Sequence, residues 1–284
     1  MVAAPLEDRV GEFECIPGSL LAAHSKVVPG TEQHAREAML LRESKPELLN
    51  KWIWTADFSM YRKEGEESFL YFASGEHNLI FRDITNATRQ LTTTGNYIPP
   101  KKGIDDVVSS AAAGKTLKLK ILDLELVKDN PSDDYGHFDV DPDNLDALNP
   151  AQRSFVQTIY GNSRAGNRVY VLTSDYVKNT LKGKEDSAIA RASRLGGAGS
   201  GSRFSADDRG VGFADCGLFG VLKEAPKAPA KIEGVAAAPI NPVAQYTQEG
   251  ILNYLNTNPV SDEKLAAALL KHATLFYQNR TPKA

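Results

Sequence analysis

The chain has 284 residues and a net charge of −3, and its lysines and arginines are scattered among acidic residues. A chain of this length forms one large domain or two small ones, and this charge distribution gives no reason to expect a nucleic acid or an anionic membrane as partner. Cys15 and Cys216 match no metal-binding spacing and are too few for a disulfide framework, and no secretory leader or apolar run of transmembrane length is visible. We therefore expect a cytoplasmic protein with no cofactor, no bound metal and no membrane span.

The first half of the chain is predicted to contain both helices and strands. Thr31 is a candidate cap for the first helix, and helical spacing or capping signals predict helices at residues 32–41, 47–54, 78–90 and 104–113. The second of these helices leads into a strand, and an apolar run predicts another strand at residues 68–73. Residues 116–127 alternate as a further strand, and the apolar phase shifts by one residue after Ile121, which predicts a β-bulge.

The second half is predicted to be mixed as well. Strands are expected at residues 135–140, 168–172 and 188–192, and helices at residues 149–161 and 174–181. Residues 225–242 have the composition of a linker, and two further helices are predicted at residues 243–255 and 262–278. These signals divide the chain into an N-terminal helical extension at 1–44, a main domain at 45–224, a linker at 225–242 and a helical tail at 243–284.

Several familiar chemical motifs are incomplete in this sequence. Residues 109–116 end like a phosphate-binding loop, but Ser109 replaces the first glycine and a strand follows where a helix is required. Residues 139–143 carry aspartate at alternate positions like a calcium loop, but Asn144 stands where the tight turn needs glycine, so an Asx-rich turn is favoured. The five histidines form no metal-binding pair, and there is no G-x-S-x-G nucleophile motif. We therefore expect a protein that is not an enzyme.

One segment, residues 191–224, differs from the rest of the chain in composition. It is rich in glycine, alanine, serine and aspartate, yet arginine, phenylalanine, valine and leucine recur within it at intervals. A flexible linker would lack those large residues, and neither helical nor strand periodicity fits residues 196–217 for more than a few positions. The segment is therefore predicted to be irregular and to be held in place by its large side chains.

The order of features in this segment resembles a known family signature. A strand that ends at Ser193 is followed by a glycine-rich turn, by the run SRFSADDRGV at 202–211, and by LFGV at 218–221. This order resembles the C-terminal signature of the C-type lectin fold in its formylglycine-generating-enzyme-like branch. The chain departs from that pattern at residues 191–193, where paired glycines are lost, and at Leu222, where an arginine would stand. The resemblance implies an α+β, C-type-lectin-like domain at 45–224.

Within that fold, the composition resembles the variable region of diversity-generating retroelement variable proteins. In that family a reverse transcriptase randomises the adenines of AAC and AAT codons, which then encode many residue types but never Lys, Glu, Gln, Met or Trp. From Leu195 to Leu222 none of these five types occurs, and Lys223 is the first; together they make up roughly a fifth of an average chain. The resemblance implies a hypervariable region at about 191–224 whose task is to bind a ligand, usually a protein.

A surface that accepts many substitutions needs fixed neighbours that form the core. The expected inward anchors are Leu195, Phe204, Ala206, Val211, Leu218 and Val221, and Arg191 and Arg209 are expected to be buried or half-buried hydrogen-bond donors. Gly196 is a further candidate for variation. The resemblance and the spacing predict these ligand-binding residues: Gly197, Gly199, Gly201, Arg203, Ser205, Asp207, Asp208, Gly210, Gly212, Phe213, Ala214, Asp215, Gly217 and Phe219.

Three other interpretations are weighed against this one. An enzyme of the formylglycine-generating type acts on a protein substrate through a closely spaced cysteine pair, but this segment contains only Cys216. A plain α+β domain with a glycine-rich surface loop would have the same composition without the binding role. A nucleotide or nucleic-acid module would rest on the incomplete loop at residues 114–115. The identity of the protein ligand, the oligomeric state and the role of the C-terminal helices are open at this point.

Overall fold

The structure is a computed structural model that describes residues 9–73, 78–161, 164–196, 203–208, 211–213 and 215–223. The chain divides into two units, Met1–Glu224 and Ala225–Ala284, and every described residue belongs to the first. The linker predicted at 225–242 and the helices predicted at 243–255 and 262–278 lie outside the described residues.

The described residues form nine strands and seven α-helices. In chain order the strands are β1 (Glu14–Pro17), β2 (Ile53–Glu64), β3 (Glu67–Ala73), β4 (Leu117–Lys120), β5 (Tyr135–Asp139), β6 (Arg168–Leu172), β7 (Ala188–Leu195), β8 (Arg203–Asp208) and β9 (Gly217–Gly220). The helices are α1 (Leu20–His24), α2 (Ala35–Glu43), α3 (Leu79–Arg82), α4 (Ile84–Thr94), α5 (Lys101–Ala112), α6 (Pro150–Tyr160) and α7 (Ser174–Thr180). Short 3-10 helices occupy Val10–Glu12, Pro46–Leu48, Ile121–Leu124 and Leu145–Ala147. The α+β class expected from the sequence is confirmed.

All nine strands join one sheet, in the order β1-β9-β2-β7-β8-β6-β5, with β3 and β4 branching from β2. The first part of β2 pairs with β9 in parallel, and its later part pairs with β3 in antiparallel register. Strand β1 pairs with β9 in antiparallel register, so that Cys15 lies opposite Phe219. The first and the last described strands are thus neighbours, and this pairing draws the ends of the described unit together.

Buried apolar side chains form two cores, and neighbouring residues of one strand are divided between them because strand side chains alternate. Ile53 and Tyr61 of β2 belong to the first core, whereas Trp54, Phe58 and Met60 belong to the second. Helices α2 and α6 contribute to the first core, and α1, α3, α4 and α5 contribute to the second. Helices therefore pack on both cores of the branched sheet.

Residues 9–44 are integral to this body. Phe13 and Leu41 are buried in the first core, and Leu20 and Val27 are buried in the second. The boundary predicted at residue 44 therefore does not separate two bodies within the described residues. The reason is that α2 packs its apolar residues in the first core and α1 packs its apolar residues in the second.

Two local predictions are corrected by the structure. The strand predicted at 116–127 ends at Lys120, and the phase shift marks the 3-10 helix Ile121–Leu124, whose two end residues are buried three positions apart. The helix predicted at 47–54 is only the 3-10 turn Pro46–Leu48, and strand β2 begins at Ile53. Most of β2 is buried on both sides, so it shows none of the polar alternation by which a half-exposed strand is recognised.

The start of α2 is fixed by a carboxylate from β2. The register of β2 against β7 shifts between Trp54 and Phe58, and Asp57 lies in that irregular stretch. One oxygen of Asp57 accepts a hydrogen bond from the backbone N–H of Ala35 at 2.7 Å, and the other lies 3.1 Å from Nδ1 of His34. Burial lowers the pKa of His34, but the hydrogen bond to Asp57 and its negative charge outweigh that effect and raise the pKa above the ordinary value.

The contact between His34 and Asp57 predicts a pH-dependent contribution to stability. Because the folded-state pKa of His34 is raised above 6.5, the contribution is complete below that pH and is lost as pH rises through the folded pKa. We expect the difference in unfolding free energy between the wild type and His34→Gln, measured by denaturant titration, to shrink from weakly acidic to weakly alkaline pH. A difference that stays constant across this range would contradict the assignment.

Candidate ligand-binding surface

Strand β8 separates core residues from surface residues in strict alternation. Phe204 and Ala206 have no exposed surface and belong to the first core, where the Phe204 ring meets the ring of Phe72 at a centroid distance of 5.8 Å. The intervening residues Arg203 and Ser205, and the next one, Asp207, line a depression of about 310 Å³. Because strand side chains alternate, packing the first pair in the core places the other three residues at the depression.

The depression is built from several strands together with the segment after β8. Its walls come from the residue that precedes β2, from the start of β5, and from β6, β7 and β8. Four aromatic side chains and three arginines dominate the lining. The full lining is Trp52, Asp134, Tyr135, Tyr170, Leu172, Arg191, Arg194, Arg203, Ser205, Asp207 and Phe213.

Arginines stacked on aromatic rings give the depression its shape. The Cζ atom of Arg194 lies 4.0 Å from the ring centroid of Trp52 and 5.3 Å from that of Phe213. The Cζ atom of Arg203 lies 4.7 Å from the Trp52 ring and 5.7 Å from the Tyr170 ring. Each cation–π contact contributes about 0.5–1 kcal/mol at an exposed site, and more where it is desolvated. Trp52 is therefore the shared platform on which both guanidinium groups are positioned.

The backbone beneath this platform is fixed by Gly196. Its carbonyl accepts a hydrogen bond at 2.5 Å from the buried Arg42 of α2, and its N–H donates to the carbonyl of Arg203 at 2.6 Å. A Cβ atom at Gly196 would lie 2.8 Å from Cγ of Arg203 and 3.2 Å from the Trp52 ring. Gly196, predicted as a candidate for variation, is thus confined to glycine by the two side chains that pack over it.

Two further side chains hold the strands around the depression. The buried hydroxyl of Tyr61 donates to the carbonyl of Ala206 at 2.9 Å, and burial raises the pKa of this hydroxyl far above its usual value. Arg191 is 1% exposed, and its Nη2 donates to Oδ1 of Asn96 at 2.9 Å. The expectation that Arg191 is a buried donor is therefore confirmed.

The structure brings together four of the predicted ligand-binding residues: Arg203, Ser205, Asp207 and Phe213. Gly212 and Asp215 are exposed outside the depression, and Gly212 lines an adjoining hollow that it shares with Phe213. Gly197, Gly199, Gly201, Gly210, Ala214 and the side chain of Asp208 lie outside the described residues.

Two predicted ligand-binding residues are buried instead. Phe219 has no exposed surface and packs in the first core, and a Cβ atom at Gly217 would collide with Sγ of Cys15 on the neighbouring strand. The reason is that both faces of β9 are covered, because Phe219 packs in the first core and Leu218 packs in the second. We leave both residues out of the proposed surface.

Most of the predicted anchors are confirmed. Leu195, Phe204, Ala206, Val211 and Leu218 are each at most 1% exposed. Val221 is half-buried at the edge of the first core. Arg209 lies outside the described residues.

Sequence reasoning missed the residues that frame the depression from outside the glycine-rich segment. Trp52, Tyr135 and Tyr170 are distant from the segment in the chain, and only the sheet order brings them to β8. Arg194 lies inside the segment but precedes the predicted contact residues. One signal was available, because Tyr170 alternates with the buried Val169 and Val171 and therefore lies on the other face of its strand.

A formylglycine-generating reaction would depend on the two cysteines of this chain. Cys15 packs against the first core and Cys216 lies in the second. Burial raises the pKa of Cys15 to about 11, which disfavours the reactive thiolate. A formylglycine-generating reaction that needs a close cysteine pair therefore gains no support from these positions.

The segments that resemble a phosphate-binding loop and a calcium loop form ordinary local structure instead. Helix α5 ends before Gly114 and strand β4 follows it, the reverse of the order in a phosphate-binding loop, and the hydroxyls of Ser110 and Thr116 hydrogen-bond each other at 2.9 Å. Asp141 accepts a hydrogen bond from the N–H of Asp143 at 3.0 Å, which confirms the predicted Asx turn. Within the described ranges, no group of three or more His, Cys, Asp or Glu side chains is placed to hold a metal ion.

Comparisons with known proteins give one distant structural similarity. No family model matches the chain, and no curated protein sequence matches it. A solved structure described as "Accommodation of massive sequence variation in Nanoarchaeota by the C-type lectin fold" is similar at 12% identity and a TM-score of 0.41, over 74% of this chain and 93% of that one. None of the helices in the described part of this chain has the length and apolar character needed to cross a membrane.

Phe204 and Phe213, nine residues apart in the sequence, provide a matched test of core against surface. Phe204 is fully buried and Phe213 is 51% exposed. We expect Phe204→Ala to lower the unfolding free energy by about 3–5 kcal/mol, and Phe213→Ala to lower it by less than about 1 kcal/mol. Thermal and denaturant melts measure both. Equal losses of unfolding free energy in the two variants would contradict this division into core and surface residues. So would a loss in Gly212→Tyr or Asp207→Tyr as large as that in Phe204→Ala.

A matched pair of glycines tests the packing beneath the platform. Gly196→Ala places a methyl group against Arg203 and Trp52, so we expect a loss of about 1–3 kcal/mol from overpacking. Gly212→Ala is the control, because its new methyl group would meet no atom within 4 Å; we expect a change within about 0.5 kcal/mol. Unfolding free energies that do not differ between the two variants would show that Gly196 is not confined.

Proposed function

We propose that this protein binds another protein through the depression at β6, β7 and β8, and that this surface is of the diversified kind found in retroelement variable proteins. The observation that carries the proposal is the alternation in β8. Residues of the glycine-rich segment that are buried there, such as Phe204, complete the core, and those that alternate with them, such as Arg203 and Asp207, line the depression. A surface whose residues can change without disturbing the core is what a diversified binding protein requires.

The composition of the depression supports binding as its role. Tyrosine, tryptophan and arginine carry most of the binding energy in protein interfaces, and here Trp52, Tyr170, Arg194 and Arg203 are grouped in one place. Phe213 stands 51% exposed at the margin of the depression. Exposed aromatic side chains beside stacked arginines are costly to leave in water and are stabilised when a partner covers them.

The extent of the surface favours a protein over a small molecule. Phe213 lines both the depression and the adjoining hollow formed by Gly212 and residues 91–95. A ligand that engages both must extend across the Phe213 side chain, whereas small-molecule sites enclose most of their ligand in one cavity. The two adjoining hollows therefore suit a protruding part of a protein partner.

The case for diversification rests on which residue types lie at the surface. Arg203, Ser205, Asp207, Gly212 and Phe213 all belong to the set that adenine randomisation of AAC and AAT codons can produce. Trp52 belongs to the types that such randomisation never produces, and it lies outside the glycine-rich segment as part of the frame. The aromatic platform thus comes from outside the segment that would be diversified, as expected for a fixed scaffold that carries a changeable surface.

Randomising the surface residues should change the binding partner and leave the fold intact. The test is a display library randomised at Arg203, Ser205, Asp207, Phe213 and Asp215, with all the core residues kept, selected against several unrelated proteins. We expect folded clones with new and mutually exclusive specificities, because the randomised residues line the depression or are exposed and none of them belongs to the two cores. Protease resistance reports folding, and binding to each target reports specificity.

The matched control library is randomised at Lys102, Asp105 and Ser109, which are exposed on α5 away from the depression. It should yield few or no specific binders. If this control library yields binders as readily as the test library, the depression has no special role, and the plain surface-loop interpretation is preferred.

A further inference from the structure

Arg203 is held in place by aromatic rings. Its guanidinium group stacks on Trp52 and faces Tyr170, and its Nε atom is buried and has no hydrogen-bond partner. Among the residues that the structure describes, no carboxylate forms an ion pair with it, whereas Arg168 at the start of the paired strand β6 binds Asp139 at 2.7 Å. A partly buried guanidinium whose Nε–H has no acceptor has lost part of its hydration without compensation, so an anionic oxygen near its remaining N–H groups is favoured.

The geometry of Arg203 suits a planar anion. Stacking on a ring fixes the plane of the guanidinium group and leaves the N–H groups along its edge to donate within that plane. Two parallel hydrogen bonds from such an edge match the two oxygens of a carboxylate. Because the side chain is already fixed in the free protein, binding costs little further conformational entropy. The ligand group that fits is therefore one that accepts two in-plane hydrogen bonds.

The formal charge of the depression favours a singly charged anion. Three arginines line it (Arg191, Arg194 and Arg203), and two aspartates (Asp134 and Asp207) also line it, which leaves one net positive charge. A carboxylate balances that charge. A phosphate group, which carries nearly two negative charges at neutral pH, would be repelled by the two aspartates.

The surroundings of Arg203 also define the neighbours of this carboxylate. Tyr135 and Phe213 are 36% and 51% exposed, so an apolar side chain next to the acidic one would gain contacts with both. Resting on the proposed function, we infer that the protein partner inserts an aspartate or glutamate side chain, flanked by apolar residues, against Arg203 on the Trp52 platform. This inference names the chemistry of the ligand, which the proposed function leaves unspecified.

The test uses peptides selected on the full chain. A random peptide library displayed on phage is selected for binding to the wild-type protein, and the tightest peptide is synthesised in three forms. The first form is the selected sequence, the second has its acidic residue changed to the corresponding amide, and the third has phosphoserine at that position. Dissociation constants are measured by calorimetry for the wild type and for Arg203→Gln, Phe213→Ala and Arg82→Gln.

We expect the selected peptides to be enriched in Asp or Glu next to apolar residues. The amide form should bind about 10- to 100-fold more weakly than the acidic form, as expected for the loss of a hydrogen bond between charged groups. Arg203→Gln should cause a loss of similar size for the acidic form and almost none for the amide form, which identifies the pair as the interacting one. Arg82→Gln, which removes a charge from the exposed ion pair between Arg82 of α3 and Asp106 of α5, should leave binding unchanged.

The outcomes separate the inference from the proposed function. Peptides that lose binding with Phe213→Ala but bind equally well as acid and amide would overturn the inference and leave the function in place. Tighter binding of the phosphoserine form would also overturn it. If no peptide depends on Phe213 or Arg203, both the inference and the proposed function are wrong. The comparison of acid and amide peptides needs no protein variant, so the test holds even if Arg203→Gln fails to fold.

Discussion

The alternation of side chains along β8 is the constraint on which this structure depends. Strand β8 lies between β6 and β7, and its register is fixed by backbone pairing on both sides and by the hydroxyl of Tyr61. With Phe204 and Ala206 committed to the core, Arg203 and Ser205 are left for the depression. A slip of one residue would bury a guanidinium and expose a phenyl ring, so the core enforces the composition of the surface.

The depression is shaped by residues from inside and from outside the glycine-rich segment together. Trp52 positions the two stacked arginines, and Gly196 gives Trp52 and Arg203 the space to pack. Arg42 then ties the backbone of Gly196 to α2. A change at Ser205 or Phe213 would alter what the surface contacts, whereas a change at Gly196 would alter the surface as a whole. Geometry and specificity are thus assigned to different residues, which is the property that a diversified binding protein needs.

Local signals in the sequence were sufficient wherever the local pattern and the tertiary environment agree. Strand β6 has the predicted bounds because apolar β-formers continue from its first residue to its last, and α6 starts at Pro150 because Asn149 and Gln152 form a capping box. The buried anchors of the glycine-rich segment were predictable because they are its large apolar residues. The α+β class follows from the same local patterns.

What the sequence could not reveal depends on contacts between distant parts of the chain. The start of strand β2 was misplaced, and its length was not predicted, because burial on both sides removes the polar alternation of the strand. Phe219 was assigned to the surface because composition alone does not show that both faces of β9 pack in the cores. Trp52 and Tyr170 were not predicted as site residues because only the strand order brings them to β8.

The most direct test of the account is a comparison of the coding sequence for residues 191–224 with the DNA around it. The account predicts a reverse transcriptase gene and a near-copy of this sequence that differs at adenines. The differences should fall in the codons for residues displayed at the surface, such as Arg203, Ser205 and Phe213, and the codons for Phe204, Gly217 and Phe219 should be identical in both copies. The absence of a near-copy, or differences spread equally over the codons for buried residues, would contradict it.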